Sequence, residues 1–170
     1  MPIKTVTRID SELIPDFGAN MHKYYHSKDC SMSGQFSPDE KYPKQFTSSR
    51  GIFAGTQQFT ALYATGNSNE TRYVAKYGPG KPTVWFGKKD LPRIRSKKTY
   101  LTVFDAKDFE KKPNGEYFSK KPGKPIKQTP ITDALGYITK QGWTIKYTDD
   151  LPAILEQLIA EGCDYGAERV

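Results

Sequence analysis

Both histidines of the chain, His22 and His26, lie in the stretch MHKYYHSKDCSMSGQFSP, beside Cys30 and a Tyr25-His26-Ser27 run. A phenol, an imidazole and a hydroxyl in succession offer donors and acceptors that can grip a polar ligand. They suit a polar turn after an N-terminal strand equally well. Two histidines and two cysteines in all, with neither Cys30 nor Cys163 in a CxxC pair, leave no zinc-site spacing. No structural metal is expected, and both thiols read as reduced. The carboxylate of interest is Glu116 in KKPNGEYFSKK, with Glu110 as second choice. A glutamate among lysines is usually a solvated surface group, so its meaning depends on the elements that carry it.

Those elements follow from periodicity. Residues 3–8 read as a short strand, with Pro15 and Gly18 breaking the chain before the histidine segment and a long polar loop over 28–45. Ile52-Phe53-Ala54 reads as a short buried strand. Gly55-Thr56 then supplies a turn and an N-cap hydroxyl. Phe59, Leu62 and Tyr63 recur at i, i+3 and i+4, one face of a short helix closed by Gly66. Strands are predicted over 71–77, 83–87 and 99–106. In the last, Leu101 and Val103 face one way and Tyr100, Thr102 and Phe104 the other, so it should be central. PITDALGYITKQG predicts a helix capped at Thr132 and ended by Gly142, followed by a strand over 143–148. DDLPAILEQLIAEG predicts a second helix, capped at Asp149 or Asp150, with a stripe of Leu151, Ile154, Leu155, Leu158 and Ile159. Short strands with scattered helices, without βαβ alternation, indicate an α+β fold with mostly antiparallel sheet. The length of 170 residues fits a single domain over 1–170.

Charge narrows the partners. The net charge is +7, and the excess gathers in FGKKDLPRIRSKK (86–98) and EKKPNGEYFSKKPGKPIK (110–127). Such runs track phosphate backbones or acidic partners, or merely solubilise a surface. Few aromatics interleave with these lysines, so base stacking is not specifically indicated. The 110–127 run reads as a solvated loop, with an acceptor-binding edge as its second reading. No apolar run approaches the ~20 residues of a membrane span, and the N-terminus lacks a signal-peptide block. A soluble cytoplasmic protein with no membrane partner is expected, acting in its own cell or in a target cell.

Tyr25-His26-Ser27, GIFAGTQQFTALYATG and the strand YLTVFDAKDF followed by Gly115-Glu116-Tyr117-Phe118-Ser119 occur in an order that resembles the small bacterial and phage ADP-ribosyltransferases. Those proteins open with a Tyr-His-Gly-Ser-like element and continue with a strand and short helix bearing Ala and Tyr or Phe. After a further strand they present a Glu followed by an aromatic and a Ser. The resemblance covers about residues 24–119 and is of the His-Tyr-Glu rather than the Arg-Ser-Glu kind. It departs at Ser27-Lys28, where the family has Gly-Ser or Gly-Thr, and at Gly55, inserted before Thr56. No Glu-x-Glu or Gln-x-Glu pair is present. FTSS at 46–49 is similar to the Ser-Thr-Ser strand of arginine-modifying members, but no matching N-terminal arginine element accompanies it. Arginine is therefore not the acceptor expected.

The resemblance implies an ADP-ribosyltransferase-like fold and NAD as substrate, with no metal. It implies Glu116 as the catalytic carboxylate countering charge on the ribose. It further implies a cofactor site of Tyr25, His26, Ser27, Phe53, Thr56 and Tyr63. In it His26 bonds the adenosine-side ribose, Tyr25 fixes the strand, and Phe53 and Tyr63 wall the nicotinamide. Lysines or arginines of the basic stretches would meet the pyrophosphate. The acceptor would be a nucleic acid or an acidic protein. Each residue has a plainer reading: His26 as a turn histidine, Tyr63 as core, Glu116 as surface. The alternative at the level of function is a non-catalytic basic domain that binds nucleic acid or inhibits a partner. An RNA 2′-phosphotransferase on the same fold would need more His and Arg positions than two histidines supply, and a transferase fold that has lost its catalysis is a third reading.

Overall fold

The computed structural model describes residues 2–14, 52–66, 72–78, 80–113 and 115–168. Along them run β1 (Thr5–Asp10), β2 (Ile52–Ala54), and α1 (Gln57–Thr60), which tightens into a 3₁₀ helix over Ala61–Thr65. β3 (Tyr73–Lys76) and β4 (Thr83–Gly87) follow, then a 3₁₀ turn at Lys88–Asp90 leading into α2 (Leu91–Ser96). Next come β5 (Thr99–Asp105), β6 (Glu110–Lys111), β7 (Tyr117–Ser119) and β8 (Lys127–Ile131). The chain ends with α3 (Ala134–Lys140), β9 (Thr144–Thr148), α4 (Leu151–Ala160) and β10 (Tyr165–Glu168). The class is α+β. No described helix is long and apolar enough to cross a membrane.

Three sheets form among the described residues, in the orders β1-β5-β8, β10-β3-β4-β9 and β2-β7-β6. All pairings are antiparallel except β4 with β9, which are parallel. A bridge between Thr7 and Gly55 joins the first and third sheets, closed by Thr7 N–H to Gly55 O at 2.7 Å and Gly55 N–H to Thr7 O at 2.9 Å.

Alternation along the strands divides the interior into three. Ile9, Phe53, Leu101 and Val103 from one side meet Tyr73, Ala75, Val84 and Phe86 from the other, with Leu62, Tyr63, Ile94, Ile138 and Trp143 between them. The opposite strand faces carry Val6, Ile52, Ala54 and Phe104 into a second cluster. Val74 and the partly buried Trp85 turn outward beneath Leu151 and Leu158 of α4. A period of two is what lets one strand serve two clusters.

Sequence and structure agree on β2, β4, the central place of β5 and the Asp150 cap of α4, whose Oδ1 accepts from Ala153 N–H at 3.2 Å. They differ at several points. The cap of α3 is Asp133, accepting from Gly136 N–H at 3.0 Å, because β8 runs on to Ile131 and delays the helix. Pro130 lies within β8 at a sheet edge, where no ladder donor is needed. Ile159 is exposed at 53%, since Leu151 and Leu158 alone reach the sheet deeply. The 110–127 stretch is not a solvated loop: β6, β7 and the start of β8 lie in it.

Candidate functional site

Glu116 is carried by a tight hairpin. Lys112 N–H donates to Glu116 O at 2.7 Å, and Gly115 N–H donates to Lys112 O at 3.0 Å. Gly115 adopts φ +90°, a conformation glycine reaches without steric cost. The returning strand then pairs with β2 through Phe53↔Phe118 and Ala54↔Tyr117. One step further along that register, Glu116 falls opposite Gly55, the residue that bridges to β1. The junction that joins β1 to β2 and β7 therefore lies beside this carboxylate.

The environment separates the two acidic candidates. Glu110 is exposed and pairs with Lys112 at 3.4 Å. Glu116 is fully buried, with both carboxylate oxygens shielded from solvent. A buried carboxylate is tolerated only with ionic or hydrogen-bond partners, so its burial within a lysine-rich stretch marks a specific environment. Lys112 is drawn over the Phe118 ring, its Nζ 5.4 Å from the centroid, and Phe118 in turn lies 4.8 Å from the Phe53 ring.

Phe53 and Tyr63 both belong to the main core, 1% and 4% exposed. Phe53 meets the Glu116 hairpin through Phe118, and Tyr63 shares the main core cluster with Phe53. Thr56 sits at the adjoining turn, where its Oγ1 accepts from Phe59 N–H at 3.3 Å and caps α1. One acceptor site of its hydroxyl serves that cap. The remaining site residues, Tyr25, His26 and Ser27, lie outside the described residues, as do His22, Cys30 and the 46–49 segment.

Arg8 is a group that sequence reasoning passed over. It occupies an inward position of β1 and is only 4% exposed. Its Nη1 donates to Phe53 O, and its Nη2 meets Asp10 Oδ1 at 3.2 Å. A cation at an inward position of the alternating strand TVTRID was the available signal. The neighbouring hydroxyls are also engaged: Thr7 and Thr60 approach to 2.8 Å, and Thr60 donates to Thr56 O at 2.9 Å. Thr7, Arg8, Thr60 and Glu116 are all buried polar side chains near the junction of β1 with β2. Among the described residues no group of three or more His, Cys, Asp or Glu side chains is positioned to hold a metal.

No protein-family model matches the chain, and neither a curated protein nor a solved structure is significantly similar to it.

Proposed function

We propose that this protein is an NAD-dependent ADP-ribosyltransferase of the small bacterial and phage type, with a nucleic acid or an acidic protein as acceptor. The burial of Glu116 carries the reading. A glutamate withdrawn from a lysine-rich hairpin into a strand junction lies in a low-dielectric setting, where a carboxylate, when ionised, acts strongly on a nearby cation. The bond between ribose C1′ and the nicotinamide nitrogen breaks, its electron pair leaving with nicotinamide. The acceptor's lone pair forms the new bond to C1′, and the acceptor gives up a proton. Glu116 counters the positive charge that develops on the ribose between these events. Tyr25, His26 and Ser27 bind the cofactor in this reading, and Arg8 is the buried cation nearest in sequence to that element among the described residues.

Glu116→Gln keeps size and hydrogen-bonding shape while removing the charge. It is expected to lower nicotinamide release by about 10²–10³-fold, measured by chromatography, with an unchanged far-UV spectrum. Equal rates in variant and wild type would overturn the role of Glu116. His26→Ala is expected to weaken NAD binding tenfold or more in calorimetry, ~1.4 kcal/mol. An unaltered isotherm would remove His26 from the cofactor site.

A second reading, a non-catalytic basic domain, is favoured by the burial of Phe53 and Tyr63, which serve the core as ordinary aromatics do. It predicts no heat with NAD and steeply salt-dependent binding to a polyanion.

A further inference from the structure

The two basic stretches are kept apart by β5. The stretch 86–98 leads into its first residue, Thr99, and the 110–127 stretch pairs near its end, where Lys127 lies opposite Val103. Seven residues of strand put about 20 Å between those ends. They are two surfaces, and they differ in kind. Near the far end, Ile3 and Ile126 are exposed among the lysines, at 38% and 59%. The near end has no exposed aliphatic side chain among the described residues of 86–98.

At the near end, α2 turns Ile94 into the core while Arg93 and Arg95 stay outside, and Lys88, Lys89 and Lys98 flank them in the open. Lys88 and Lys89 also line a crevice of about 120 Å³ with Arg72, Gly87 and Thr148. It opens at the carboxyl ends of β4 and β9, the parallel pair, and against the first residues of α4, Leu151 and Pro152. Carboxyl ends of parallel strands are where open sheets receive ligands. Cations from β3's approach and the β4–α2 turn thus converge on one hollow. Two carboxylates belong to the same region. Asp149 also lines the crevice and pairs with Lys88 at 3.5 Å. Asp90 is turned under the backbone, where its Oδ2 would lie 2.7 Å from a Cβ on Gly87. Arg72, Lys89, Arg95 and Lys98 make no ion pair with a described acid.

We infer that this ridge and crevice form a nucleic-acid surface: Arg72, Lys88 and Lys89 hold a phosphate in the crevice, and Arg93, Arg95 and Lys98 follow the backbone along α2. From Lys88 to Lys98 the turn and helix extend about 15–20 Å, some five steps of one duplex strand at 3.4 Å each. A protein partner would need apolar anchors, and the exposed aliphatics lie elsewhere. Tyr147, the exposed aromatic among the described residues, stands two residues from Ile145 on β9 and so shares the sheet face that, like Ile94 of α2, borders the main core. Its ring is available to a base. This surface supplies the nucleic-acid acceptor of the proposed transferase and rests on that reading only for what becomes of the bound strand.

The test is fluorescence anisotropy with a labelled 20-nucleotide DNA, single- and double-stranded, and its RNA counterpart, without NAD. Omitting NAD makes failure here distinguishable from failure of the transferase assay. Lys89→Glu/Arg95→Glu is expected to weaken binding at least tenfold and to reduce the salt slope by about two. Lys121→Glu/Lys124→Glu, the same charge change at the far end, is expected to alter it less than threefold. Equal losses in both variants would mean bulk charge and overturn the surface. No oligonucleotide binding by wild type at 50 mM salt would overturn it as well. So would competition by inorganic phosphate or an acidic peptide as effective, per phosphate or carboxylate, as the oligonucleotide.

Discussion

Arg8 and Glu116 are charged residues the interior keeps. Arg8 is held by Phe53 O and by Asp10, so truncating it removes a cationic partner from a largely buried carboxylate and a buried carbonyl. Breaking one partner of a buried pair costs about 3–5 kcal/mol. Arg8→Ala is expected to lower the unfolding free energy by that order in urea titrations. A loss under 1 kcal/mol would show that Asp10 and Phe53 O are served without it. Glu116 was nameable from sequence only as a glutamate after a strand. Its distinction from Glu110 came from the pairing of β7 with β2, because burial is a property of register and not of residue type.

The hairpin carrying Glu116 turns on Gly115. A Cβ there meets nothing within 4 Å, yet φ is +90°, so the penalty for any side chain is backbone strain alone. Gly115→Ala is expected to destabilise by about 1–2 kcal/mol, read from the thermal midpoint, and to reduce nicotinamide release through displacement of Glu116. Full stability would mean that the turn has another accessible conformation. At α4 the Asp150 cap is exposed and local, and Asp150→Ala is expected to cost about 1 kcal/mol with the transfer rate unaltered. Elements of this kind were legible in the sequence because their cause is local: Thr56, Asp150 and Gly66 act within a turn of their own position. Asp133 displaced Thr132 as the α3 cap for a non-local reason, the pairing of β8 with β5 through Ile131↔Thr99. The second half of α1 winds as a 3₁₀ helix in which all of Ala61–Thr65 are buried, a demand of packing rather than of propensity.

Among the described residues, the buried phenol of Tyr73 and the partly buried Tyr137 link stability to high pH. Burial, with Glu168 beside it, holds Tyr73 well above its ordinary value. Burial likewise pushes Tyr137 up to about 12, partly offset by Gln57. In the unfolded chain these phenols lose their protons near pH 10. Above that pH the unfolded state binds fewer protons than the folded one, so stability falls as pH rises. Their contribution is fully present below pH 10 and declines from there through about pH 12. The urea midpoint is expected to drop over that window, and Tyr137→Phe to lessen the drop. An unchanged midpoint at pH 11.5 would show that neither phenol is held protonated by the fold.

Composition, charge and periodicity determined the α+β class, the positions of β2, β4, β5 and α4, and the basic character of two stretches. Each of these depends on residues within a few positions of one another. Tertiary structure decided which glutamate is buried, that Arg8 lies beneath β2, that β4 and β9 run parallel, and that the two basic stretches lie at opposite ends of β5. Those outcomes depend on which strands pair and in what register, and strand partners such as Phe53 and Phe118 are brought together only when the whole chain closes.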